Sequence, residues 1–90
     1  MTEPMGRRIY YARCWEGRQS LAAFGAAVAL KEGRTKPYSA ATVSDWEHNR
    51  KVPSVKALIA AAAVGHVRDE WLIFGRGERS AGAYTAQGAA

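Results

Sequence analysis

A single cysteine in 90 residues leaves Cys14 without a partner in its own chain, which excludes a disulfide framework and a zinc site built on thiolates. A reducing, cytoplasmic setting is the expectation that follows. Leu, Ile, Val and Phe together number only 15. That shortage excludes a barrel, a Rossmann-type sheet and any enzyme that needs a large enclosed cavity. No apolar run approaches the length needed to span a bilayer, and the first residues lack the continuous apolar core of a secretion signal, so no membrane partner is expected. His48 and His66 stand eighteen residues apart with no thiolate beside them, no glycine-rich phosphate loop occurs, and nothing sets a Ser, a His and an Asp at a catalytic spacing. The reading is of a protein with no metal, no cofactor and no enzymatic activity.

What the chain has is alanine, 18 residues of it, with three Trp and four Tyr for bulk. Such a composition builds short, closely packed helices more readily than a sheet. At this size a folded chain buries about 64% of its extended surface, enough for one small core. Charge is the second resource. Thirteen basic residues against eight acidic give +5, and the excess lies in the first two thirds: residues 1–18 carry +2, residues 19–56 carry +3 and residues 57–75 carry −1. Anionic partners are favoured: nucleic acid, an acidic protein or phospholipid headgroups.

Periodicity and caps divide the chain into five helices. The first runs from about Gly6 to Trp15, with Ile9, Ala12 and Cys14 or Trp15 on one apolar face; EGR at 16–18 interrupts it. Ser20 caps a second helix in which Leu21, Phe24 and Val28 recur at i, i+3, i+7, and Gly33 ends it. A basic connector, 33–38, leads to Ser39, which caps a third helix with Val43 and Trp46 inward and Asn49 in a left-handed closing position. Ser54 opens a fourth, with Val55, Leu58, Ile59 and Ala62 facing inward and Gly65 at its end. A fifth, near Arg68 to Phe74, buries Trp71, Leu72 and Phe74. The domain is read as residues 1–75, and 76–90, which shows no periodicity, as a disordered tail in which Tyr84 is the one candidate for docking on a partner.

The run from Ser39 to Ser54, SAATVSDWEHNRKVPS, resembles the recognition-helix segment of the phage lambda repressor and Cro type of helix-turn-helix domain. The likeness extends upstream through GRRIYYAR and SLAAFGAAV, where Phe24 takes the usual Leu place and Gly25 the small-residue place, and downstream through PSVKALIAAAAVG and DEWLIFG. About 70 residues are covered. Three departures stand out. Leu21 occupies the place of a Gln that helps hold a DNA phosphate, the turn before Ser39 is about eight residues longer than usual, and Ala40 and Ala41 replace long polar residues.

The resemblance implies an all-α, compact five-helix lambda-repressor-like domain that binds double-stranded DNA, as a homodimer on a palindromic site, acting in transcription as a repressor in a bacterium or phage. In it Ser39, Ala40, Ala41, Thr42, Ser44 and Asp45 form the end of the helix that enters the major groove. Ala41 would touch a thymine methyl, Ser44 base edges, and Asp45 cytosine N4. A carboxylate among phosphates is tolerable only there or beside a neutralising Arg or Lys. Lys36, Tyr38, Arg50 and Lys51 bracket that helix and suit phosphate contact, with Tyr38 alternatively packing over the long turn. Arg18 and the helix N-terminus at Ser20 are further phosphate candidates. The resemblance pairs Arg13 with Glu47 in a structural role, beside Phe24, Val43, Trp46 and Trp71 as core. A different class of function on the same scaffold, a protein-interaction module of antitoxin-like or antirepressor-like kind, is the alternative.

Overall fold

A computed structural model describes residues 4–16 and 19–79, the side chains of Trp15 and Glu16 excepted. The described chain is all-α: α1 (Met5–Tyr11), α2 (Leu21–Glu32), α3 (Ala40–Glu47), α4 (Val55–Val64) and α5 (Asp69–Phe74). Helix α1 packs on α3 and α5, α2 on α3 and α4, and α4 on α5. Three serines begin three of these helices as expected. Ser20, Ser39 and Ser54 each adopt an extended backbone, and their hydroxyls accept the N–H of Ala23, Thr42 and Ala57. Each satisfies a donor that the first helical turn leaves free, worth about 1 kcal/mol per cap.

The first helix is shorter than its apolar pattern predicts. α1 stops at Tyr11 and the chain continues as a single π-helical turn, Ala12–Glu16. Ile9 and Ala12 are fully buried, while Cys14 is only half-buried. Trp15, expected on that face, lies outside the described side chains. The core is built on Ile9, Phe24, Val28, Val43 and Leu72, all with no exposed surface, together with Trp46. Each such side chain contributes about 1.5–3 kcal/mol by leaving water.

Helix α4 is rotated from its expected orientation. Val55 and Ile59, placed inward by their spacing, are 62% and 48% exposed, and the buried face is Ala57, Leu58, Ala60, Ala61 and Ala62. Alanine lets backbones approach closely, so α4 packs by its alanines and Leu58, with Leu58 and Ala62 inward as expected, and turns its β-branched Val55 and Ile59 outward. The same closeness explains Gly65. A Cβ there would sit 2.6 Å from the Ala12 carbonyl oxygen, so glycine is required by contact, and the left-handed turn that ends the helix falls on His66 (φ 56) instead. Phe74, expected in the core, is 61% exposed, and Trp71, also expected there, is half-buried at the edge of the core cluster.

Gly25 is the point where the segment after α2 crosses back. A Cβ on it would collide with the Tyr38 carbonyl oxygen and come within 3.1 Å of Val43 Cγ2. The small-residue place therefore serves the backbone of Tyr38 as much as α3. Gly25→Ala should cost about 1–3 kcal/mol by overpacking, read as a lower midpoint in urea at an unchanged slope. An unaltered midpoint would mean that the segment yields freely.

Beyond Gly75 the described chain stays attached. The Arg68 N–H donates to the Arg79 carbonyl at 3.0 Å, and the Arg79 guanidinium lies 5.5 Å from the Tyr11 ring centre. A domain boundary at Gly75 would cut both contacts; residues 80–90, Tyr84 among them, lie outside the described residues. A chain ending at Gly75 should be less stable than one ending at Arg79 by about 1 kcal/mol. At this size that is about 4–8 °C in thermal midpoint, and equal midpoints would show residues 76–79 to be idle.

Candidate nucleic-acid interface

Helix α3 presents three faces. Val43 and Trp46 point into the core, buried among α1, α2 and α4 residues. Behind them α3 is braced against the π-helical turn that follows α1 by an ion pair: Arg13 Nε donates to Glu47 Oε2 at 2.5 Å and Arg13 Nη2 to Glu47 Oε1 at 3.1 Å, while Nη1 reaches the Gln19 carbonyl at 3.0 Å. Both side chains are largely withdrawn from solvent. The Glu47 hydrogen bond holds the Arg13 guanidinium above its ordinary value, against the opposing effect of burial. This two-pronged geometry fixes α3 against the segment that continues α1.

Two further contacts set that relationship, and neither was evident from the residue pattern. Gly6 approaches so closely that a Cβ would lie 2.7 Å from the Trp46 carbonyl, and its N–H donates to Asn49 Oδ1 at 2.9 Å. Asn49 adopts the left-handed conformation expected of it (φ 59), and its amide thereby caps α1. Buried Arg8 donates from Nε to the Leu72 carbonyl at 2.9 Å and from Nη2 to the Ile73 carbonyl at 3.2 Å, tying α1 to the negative end of α5. A basic residue in a charge-rich stretch carries no sequence sign that it will be buried.

The two outward faces of α3 differ. On one, Ser39 and Ala41 are exposed and Ala40, Thr42 and Asp45 half-buried. The Ser39 hydroxyl lies 3.0 Å from the Thr42 hydroxyl. The Asp45 carboxylate faces Arg50 Nη1 at 3.3 Å and Lys51 Nζ at 3.6 Å. Of the two conditions under which a carboxylate is tolerable here, neutralisation by neighbours is the one observed. On the other face Ser44 and His48 line a groove of about 570 Å³ with Arg7 and Tyr10 of α1 across from them. His48 Nδ1 lies 2.8 Å from the Ser44 carbonyl, and Arg7 is exposed. Arg7 and His48 were not singled out by the sequence reading: their basic character was visible, but only the packing of α1 on α3 brings them together.

Tyr38 is not available as expected. Its hydroxyl donates to Glu32 Oε1 at 2.5 Å and accepts from Arg34 Nη1 at 3.2 Å. Arg34 stacks over its ring at 4.2 Å and the ring meets Trp46 edge-on at 4.8 Å. Burial, then the Glu32 bond, push the hydroxyl above its ordinary value. Of its two readings, packing over the long turn is the one observed. That turn is long partly because α2 itself continues to Glu32 before Gly33 (φ 88) closes it. Lys36 is exposed on the connector and Ser20 at the start of α2, while Arg18 lies outside the described residues.

Among the described residues no group of His, Cys, Asp or Glu is placed to hold a metal ion, and no helix is long and apolar enough to cross a membrane. Comparison with protein-family models, curated proteins and solved structures finds no match for the chain. The class defined by the architecture alone is a five-helix all-α domain of a generic kind.

Proposed function

We propose that the chain is a DNA-binding regulator of the helix-turn-helix type, in which α2 and α3 form the motif, α3 enters the major groove, and a homodimer reads a palindromic site as a repressor of transcription. The observation that carries this reading is α3 itself. It is a short helix with a capped, small and polar outer end, held from behind by Trp46 and by the Arg13–Glu47 pair, and flanked by cations on both outward faces. Arg50 and Lys51 on one side and Arg7 and His48 on the other would contact phosphates, with Lys36 of the connector as a further cation, and the first turn of α2 at Ser20 would offer backbone N–H groups. Ser39, Ala41, Thr42 and Ser44 would meet base edges, with methyl contacts and DNA shape supplying selectivity that the short side chains cannot.

A second reading, a protein-interaction module of antitoxin-like or antirepressor-like kind, is favoured by one observation: the two cations that follow α3, Arg50 and Lys51, are already engaged by Asp45. A mobility-shift titration with mixed genomic DNA at about 50 and 200 mM salt separates the two. DNA binding that falls steeply with salt supports the regulator. No binding at the lower salt removes it in favour of the protein-interaction module.

A further inference from the structure

The surface carries two features, remote from α3, that complement one another. The first is a groove of about 310 Å³ between the end of α2 and α4, lined by Lys31, Glu32, Lys56, Ile59, Ala60 and Ala63. Its floor is apolar, and Ile59 shows nearly half its surface. Its rim is net positive: Lys31 and Lys56 are both exposed, against the single half-buried carboxylate of Glu32, which accepts from the Tyr38 hydroxyl. The second is the outer side of α5. Asp69 and Glu70 are exposed, and one turn further on Ile73 is half-buried and Phe74 exposed, so that each acid stands beside an apolar side chain at i, i+4. This helix lies within the one acidic block of the chain, residues 57–75. Arg76 stacks over the Phe74 ring at 5.6 Å, and as an exposed side chain it can swing clear.

We infer that these surfaces bind each other between two copies of the chain: the acidic, Phe74-tipped ridge of α5 docks in the Lys31–Lys56 groove of its partner. The inference rests on the homodimer of the proposed function and supplies its interface, away from α3. Helix α4 contacts both α2 and α5. In a two-fold dimer α5 of each copy would lie on the groove of the other. Such a contact is made twice and closes, so it yields a dimer and not a filament. It would also cover Ile59, a β-branched residue of the groove that α4 turns away from its own core. Each lysine gains a carboxylate partner, and the apolar centre gives the contact its affinity while the charges set its register.

The experiment is sedimentation equilibrium without DNA, on the natural chain and on charge-reversed pairs. The natural chain should show twice the monomer mass. K31E/K56E and D69K/E70K should each be folded by circular dichroism and each monomeric, because acid then meets acid and base meets base. An equimolar mixture of the two should recover the doubled mass, since both contacts of the mixed dimer are again complementary. F74S, at an exposed position, should also be monomeric with its helical signal unchanged. The inference is overturned if the natural chain remains a monomer at about 1 mM, a concentration at which only negligible contacts escape detection. It is equally overturned if the charge-reversed pairs remain dimeric, if their mixture stays monomeric, or if the groove takes up an acidic amphipathic peptide while the chain stays monomeric. Salt-dependent DNA binding by a monomeric natural chain would overturn this interface and leave the DNA reading standing; a dimer that binds no DNA would do the reverse.

Discussion

Glu47→Ala is expected to lower stability by about 2–4 kcal/mol, because it strands the Arg13 guanidinium in a largely enclosed site. For a domain of this size that is a fall of about 10–25 °C in thermal midpoint. The mechanism is specific. Removing the carboxylate leaves two of the three mapped Arg13 hydrogen bonds unmade, and only the Gln19 carbonyl remains as acceptor. Replacing both partners together, Arg13→Met with Glu47→Met, should cost clearly less than the sum of the single changes, since no charge is then left unpaired. Calorimetry on the four proteins measures the coupling. Additive losses would show that the pair is incidental and that α3 is positioned by Trp46, Gly6 and Asn49 alone. The pair links the π-helical turn after α1 to the helix proposed to enter DNA, so affinity for DNA should fall with stability in the single variants and recover in part in the double one.

Arg50→Ala combined with Lys51→Ala should weaken binding to every DNA sequence by about 10- to 100-fold and reduce the slope of log affinity against log salt by about 2. Two phosphate contacts are lost, and the Asp45 carboxylate, neutralised by these two side chains, is left facing the DNA backbone. Adding Asp45→Asn to the double variant should therefore recover part of the loss. Asp45→Asn alone should raise affinity for all DNA by releasing both cations. The ratio of specific to random binding should stay the same, because a carboxylate already held by Arg50 and Lys51 is not reading cytosine. Titrations with a selected site and with scrambled DNA at equal salt decide this. A shrinking ratio would mean that Asp45 leaves its partners to accept from a base, and an unequal effect of Arg50→Ala/Lys51→Ala on the two DNAs would mean that these residues do more than hold phosphate.

Helix boundaries were legible wherever a local rule governs them. Ser20, Ser39 and Ser54 cap helices because a hydroxyl beside a free N–H needs no tertiary partner, and Gly33 and Asn49 close them because their backbones accept positive φ. The inward stripe of α3 was legible too, since bulky Val43 and Trp46 have only one face on which to be buried. The orientation of α4 was not. In an alanine-rich helix almost any face can be packed, and the choice fell to the neighbour that approaches most closely, at Ala12 and Gly65. Nor could the pattern show that Arg8 would be buried under α5, or that Arg7 would meet His48 across a groove.

The candidate site divides in the same way. Sequence alone determined that a short, serine-capped helix with small and polar outer residues would be followed at once by Arg50 and Lys51, because those features lie within a dozen residues of one another. Only the tertiary structure decided which groups remain free for a partner. It engaged Tyr38 with Glu32 and Arg34, drew Arg50 and Lys51 onto Asp45, and turned Phe74, Val55 and Ile59 outward. The physical reason is that caps and periodicity follow from residue type and spacing, whereas the availability of a charge or an apolar side chain depends on how the turns fold back, as at Tyr38 and Asp45, and on what other helices bring within about 4 Å of it.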